Sequence, residues 1–159
     1  MKKNEVSNMV CSIARSVKEI GDTWKILILR ELFLHNRRFE RILTQTGMSS
    51  YSLATRLTEL EQDGIIEKRP YQANPTRFEY FLTEKGIDLW PMMVALNQWA
   101  DRWHRKNNER PLRIVHKHCG PTSEPILVCS ECAEPMHARK AETVMSDDSQ
   151  RYRAERMQT

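Results

Sequence analysis

The feature that most limits the folds open to this chain is a change of hydrophobic period at Gly64. Upstream, Leu53, Leu57 and Leu60 recur at i, i+4 and i+7, which marks one face of a helix. Downstream, residues 65–71 and 76–82 alternate with period two, and Gln72-Ala73-Asn74-Pro75 separates them as a turn. Ser49 or Ser50 supplies an N-cap for the helix, and Gly64 a left-handed stop. The helix therefore runs directly into a β-hairpin. Its outer face carries Tyr51, Ser52, Thr55 and Arg56, with no acid before Glu59. A helix N-terminus favours phosphate, and Ser, Thr and Arg reach base edges, so such a face suits a DNA major groove. A polar outer face alone more often means simple solvation; the neighbouring elements decide between the two.

Taken in order, those neighbours form a pattern. A first helix is expected over residues 7–20, with Val6, Met9, Val10, Ile13, Val17 and Ile20 as its apolar stripe. After Gly21, Asp22 or Thr23 caps a second helix running to Leu34, apolar nearly all round and so destined for the core centre. A short helix over 39–45 turns Phe39, Ile42 and Leu43 inward, and Thr46-Gly47-Met48 leads into the polar-faced helix. Short helix, tight turn and second helix make a helix-turn-helix; the hairpin that follows is a wing. Lys68, Arg69 and Arg77 flank its tip, and Pro70 marks an edge ribbon. Thr83 caps a fifth helix over 84–105, which Pro91 should kink or divide. That helix has two apolar faces: Ile87, Trp90 and Val94 on one, Leu89, Met92, Leu96, Trp99 and Trp103 on the other. One face lacks a cover in a monomer, which points to a homodimer with the first helix contributing, or else to cover by the C-terminal extension. The expected fold is mainly α with a β-hairpin wing (α+β): residues 1–105 for the winged helix-turn-helix, 106–137 for a small extension, 138–159 for a charged, disordered tail.

Net charge +4 and pI 9.0 permit an acidic partner without demanding one. No apolar run approaches the roughly 20 residues of a membrane helix, and Met-Lys-Lys-Asn-Glu opens no signal peptide, so a cytoplasmic location is expected. In that setting four cysteines point to metal or redox chemistry before disulfides. His116-x2-Cys119 and Cys129-x2-Cys132, nine residues apart, are two short chelates that suit one tetrahedral structural zinc, with His118 or His137 as alternative fourth ligands. The competing arrangement is a Cys129–Cys132 redox pair with Cys119 spare. There is no H-E-x-x-H, no G-x-S-x-G and no phosphate-binding glycine loop, and only five glycines, so an enzyme is not expected.

Several segments together, Cys11-Ser-Ile-Ala-Arg15, Ile20-Gly-Asp-Thr-Trp-Lys25, Ile28-Leu-Arg-Glu-Leu32, Arg38-Phe39, Leu57-Thr-Glu-Leu-Glu61 and Leu82-Thr-Glu-Lys-Gly86, resemble the HxlR-type winged-helix transcriptional regulators over about residues 9–104. The resemblance implies a homodimeric bacterial regulator that binds an operator in double-stranded DNA, often as a repressor. By position it implies DNA contacts from Ser49, Ser50, Tyr51, Ser52, Thr55 and Arg56 on the recognition helix. It adds Arg69 and Arg77 on the wing, and Arg37 and Arg38 on phosphates. Tyr51 either stacks on a sugar or covers the domain's own surface. The family usually has Cys-Pro near its start, where this chain has Cys11-Ser12, and Cys11 corresponds to a thiol that senses oxidants or electrophiles in several members. Such a thiol needs a helix N-terminus or nearby cations. Cys11 is expected inside the first helix with Arg15 and Lys18 following; the alternative is a buried cysteine among Met9, Val10 and Ile13. Similar extensions in the family point to His116 as the fourth zinc ligand. A rival from another class is a winged-helix and zinc-ribbon module that binds proteins without specific DNA affinity.

Overall fold

The computed structural model describes residues 9–104, 109–120 and 124–157. The described elements are α1 (Ser12–Ile20), α2 (Thr23–Phe33), α3 (Phe39–Thr46), α4 (Ser50–Gln62), β1 (Ile66–Gln72), β2 (Arg77–Leu82), α5 (Glu84–Ile87), α6 (Trp90–Trp103) and α7 (Asp147–Arg156). The chain divides into two compact units, residues 1–93 and 94–159, and not at residue 105 as expected.

In the first unit the core is where the leucine period put it. Leu53, Leu57 and Leu60 of α4 are buried with Ile28, Leu29 and Leu32 of α2, Ile42 of α3, Met48, and Ile65 and Ile66 at the mouth of the hairpin. Phe39 and Leu43 pack against this cluster, as their spacing predicts. α3 ends at Gly47 and α4 is followed by Gly64, both in the left-handed region (φ 68° and 69°), where a side chain costs about 1–2 kcal/mol. β1 and β2 pair antiparallel in register Ile66↔Leu82, Lys68↔Tyr80 and Pro70↔Phe78, with an irregularity between Pro70 and Gln72. A two-stranded ribbon has only edges, which explains why Pro70 is tolerated.

Three expectations on this unit change. α1 begins at Ser12, so Cys11 is its N-cap residue and not an interior one; Val6 to Asn8 lie outside the described residues. The fifth helix is divided: α5 closes at Asp88, and Pro91 is the second residue of α6, where its missing N–H breaks no hydrogen bond. Its faces also sort differently. Leu89, Met92 and Met93 pack on the core, while Ile87 and Trp90 are exposed, Trp90 against the Phe33 ring at 5.0 Å.

In the second unit, Val94 is buried, while Leu96, Trp99 and Trp103 remain exposed. The expected linker overlaps residues 105–108, and the expected hairpin arm overlaps 121–123; both stretches lie outside the described residues. The tail is not featureless. Ser146 caps α7 by accepting from Ser149 N at 3.3 Å, Asp147 and Asp148 occupy the first turn, and Arg153 and Arg156 the last. Those charges oppose the helix dipole at both ends, which supports a helix with no buried side chain. No helix among the described residues is long and apolar enough to cross a membrane.

Candidate nucleic-acid interface

Helix α4 presents a definite outward stripe. Ser49 is the N-cap, accepting from Ser52 N at 3.1 Å and sitting 3.1 Å from Ser52 Oγ, so its hydroxyl is occupied by the helix itself. Ser50, Tyr51, Ala54 and Thr58 are exposed. Tyr51 stands 83% exposed and does not cover the domain's own surface. Thr55 is half-buried and donates to Tyr51 O at 2.9 Å. Ala54 and Thr58 were not among the expected contacts. Counting half a turn from Leu53 and Leu57 would have found them.

Arg56 lies on the flank of the helix and has a partner of its own. Its Nη2 is 3.1 Å from Asp22 Oδ2, and its Nε 3.5 Å from Asp22 Oδ1. The same Asp22 carboxylate caps α2, accepting from Trp24 N at 3.0 Å and Lys25 N at 3.2 Å. Partial burial works to raise the Asp22 pKa, but Arg56 and the two backbone donors together hold it below its ordinary 3.8. Ionised Asp22 therefore adds stability that is complete above pH 3.8 and is lost as pH falls through the lowered folded value. Asp22→Asn keeps a good cap, so its deficit relative to wild type should close below pH 3.8 in urea unfolding. Asp22→Ala loses the cap too and should cost about 1–2 kcal/mol at pH 7. An Asp22→Asn deficit that stays constant down to pH 3 would show that the charge is not engaged.

The wing carries ordered cations. The Arg37 and Arg69 guanidinium carbons each lie 4.5 Å from the Phe81 ring centroid. Arg38 stacks on Tyr71 at 4.5 Å and pairs with Glu79 at 2.9 Å. Tyr80 N donates to Arg37 O at 2.9 Å, so the loop before α3 is tied to the hairpin. Lys68 pairs with Glu61 at 2.9 Å, and Arg69 contacts Glu67. Arg77 is exposed at the start of β2. Sequence reasoning did not find the roles of Phe81 and Tyr71, because their partners are more than ten residues away.

The remaining candidates stand apart from this face. Cys11 is exposed at the N-terminus of α1, not buried. In the second unit His116 Nδ1 is 3.0 Å from Cys119 Sγ. The His118 ring lies edge-on to that of His116 with centroids 5.5 Å apart. Backbone N–H groups of Cys132 and then Glu131, followed by the Cys132 side chain, hold the Cys129 thiol below its ordinary pKa. The four expected zinc ligands thus form two pairs. Among the described residues no group of three or more His, Cys, Asp or Glu lies close enough to hold a metal ion. A cavity of about 1030 Å³ in the same unit is lined by Trp99, Arg102, Trp103, Arg110 and His137, among others, so His137 faces a different feature.

A helix-turn-helix with an outward polar stripe, continued into a cationic hairpin, defines the winged-helix DNA-binding class. The family model described as HxlR-like helix-turn-helix matches residues 19–108, and the chain belongs to that family of transcriptional regulators. It is 37% identical over 128 residues to the uncharacterized HTH-type transcriptional regulator Rv3095 of Mycobacterium tuberculosis, covering 80% of this chain and 81% of the relative. The crystal structure of PA1607 is similar with a TM-score of 0.78 at 28% identity, over 89% of this chain and 99% of that one. A match of that extent must run past residue 140, so the extension is part of the shared fold. The redox regulator HypR in its oxidized form is similar at 28% identity and a TM-score of 0.53, over 58% of this chain and 96% of that one.

Proposed function

We propose that this protein is a homodimeric repressor that binds an operator through α4 and the wing and is released by a redox or small-molecule signal. The observation that carries the DNA reading is the stripe of Ser50, Tyr51, Ala54 and Thr58 beside Arg37 and Arg69 held on one ring. The stripe offers hydroxyls, a methyl and an aromatic to base edges and sugars, and the guanidinium groups serve the phosphates. Arg56 is better read as a brace between α4 and α2 than as a base contact, because Asp22 already holds it. Dimerisation is supported by exposed apolar side chains on two elements: Ile13 and Val17 on α1, and Trp99 and Trp103 on α6. A two-fold would present two recognition helices to half-sites about one helical turn apart.

Two features support a releasing signal. Cys11 is an exposed thiol at a helix N-terminus, the setting that favours thiolate, and the similar HypR is a redox regulator. The cavity in the second unit has the volume a small molecule needs.

The test is binding of the purified protein to a labelled duplex from the intergenic DNA beside its own gene, with competitor DNA and a salt series. Nanomolar binding that survives competitor and falls steeply with salt is expected. Weak, competitor-sensitive binding at every salt, with a protein partner co-purifying, would replace the operator reading by the interaction module. Cys11→Ser should keep duplex affinity within about twofold and lose release by quinone or peroxide. Release that persists unchanged in that variant would remove the thiol from the signal.

A further inference from the structure

We propose that the C-terminal extension is closed by one structural zinc ion held by His116, Cys119, Cys129 and Cys132. The first support is an energetic gap. None of the described residues from 109 to 140 is buried, so this stretch has no apolar core of its own. Its cysteines are free thiols, so no disulfide holds it. Segments of this size without a core are ordered by a cross-link or a metal.

The second support is a local geometry that occurs twice. In each pair the first ligand's carbonyl accepts a backbone N–H from just beyond the turn. His116 O takes Cys119 N at 3.1 Å and Gly120 N at 3.0 Å, and Cys129 O takes Ala133 N at 2.9 Å. In each, the residue after the second ligand is left-handed, Gly120 at φ 79° and Ala133 at φ 57°. Alanine gains nothing there by itself and costs about 1–2 kcal/mol, so the conformation is imposed by the turn. Each turn is pinned by a single antiparallel bridge, His116↔Gly120 and Val128↔Pro135. Two unrelated loops would not be expected to share ligand spacing, back-bonds and handedness. Tight turns of this form bring both side chains of a pair to one side, as His116 Nδ1 and Cys119 Sγ already show at 3.0 Å.

The donor chemistry selects the ion. One imidazole and three thiolates are soft to borderline ligands, which favour zinc over calcium or magnesium. Four protein ligands fill a tetrahedron and leave no position for water, so the ion would hold the fold and supply no reaction. The two pairs are separated by nine residues, enough chain for one pair to fold onto the other.

The experiment is metal analysis of the full-length protein, purified without added chelator or zinc, paired with thiol counting. About one zinc per chain is expected. Fast-reacting thiols should number one, Cys11, before chelation and all four cysteines after it. Cobalt loaded after chelation should give the intense visible bands of a tetrahedral thiolate site. Cys132→Ser should lose most of the zinc. If that variant aggregates, His116→Ala should still show weakened zinc retention against a competing chelator. Substoichiometric zinc with all four thiols reactive from the start would overturn the proposal, as would a Cys129–Cys132 disulfide in the metal-free protein. Because the readouts are metal content and thiol protection, failure here is distinct from failure of operator binding.

Discussion

Replacing Lys25 by alanine is expected to destabilise the first unit by about 3 kcal/mol, near the lower end for breaking a buried ion pair. Lys25 is 1% exposed although it lies in the helix richest in apolar residues. Its ammonium donates to Glu19 O at 2.8 Å and pairs with Asp63 at 3.2 Å and Glu59 at 3.1 Å. It thereby pins the end of α1 and the end of α4 to the start of α2. The two carboxylate side chains are 34% and 31% exposed and can rehydrate when the lysine is lost, which keeps the cost from the top of the range. Lys25→Met keeps the packing of the stem and should recover about half the loss. Chemical unfolding of the three proteins at equal m-value is the check; for a unit of this size the alanine variant should melt roughly 12–24 °C lower. A loss under 1 kcal/mol would mean that the lysine is accommodated and does not pin the helices.

The second large effect belongs to the wing. Removing Arg37 and Arg69 together should reduce the slope of log affinity against log salt by about 1.8, one counterion-release increment for each phosphate contact. At 0.1 M salt that corresponds to roughly 50-fold weaker binding. Phe81→Leu separates contact from positioning. The guanidinium groups remain, so the slope should stay, but each loses a ring contact at 4.5 Å that holds it in place. Two exposed cation–π contacts at about 0.5–1 kcal/mol each give roughly a 5- to 30-fold loss, which Phe81→Tyr should restore. If Phe81→Leu also flattens the slope, the ring supports the fold of the hairpin and not the aim of the arginines.

These two predictions differ in how far the residues behind them could be read in advance. Arg37 and Arg69 were legible as cations flanking a hairpin, because a period-two alternation fixes what lies at its edges. That both sit on Phe81 was not, because the register Glu67↔Phe81 and the docking of the loop before α3 arise only when the strands pair. Lys25 was invisible for a related reason: a lysine within an apolar run carries no mark of its partners, which lie 34 and 38 positions away. Arg56 looked like a base-reading residue from its helical face. The Asp22 carboxylate that engages it is 34 residues upstream, so its true orientation follows from how α2 packs on α4.

The sequence by itself determined the elements and their order. Leucine spacing, Ser49 and Asp22 as caps, Gly47 and Gly64 as left-handed stops, and the change of period at the wing are local, and local chemistry sets φ and ψ. It also determined the two ligand-x2-cysteine turns, since four residues suffice to close one. Only the tertiary structure decided which polar groups stay available. It placed Ser49 on its own helix, Arg56 on Asp22, Lys25 in the core, and Tyr51 and Thr58 outward. The physical reason is that a charge or hydroxyl is satisfied by whichever partner arrives within about 3 Å, and arrival depends on packing between helices that are far apart in the chain.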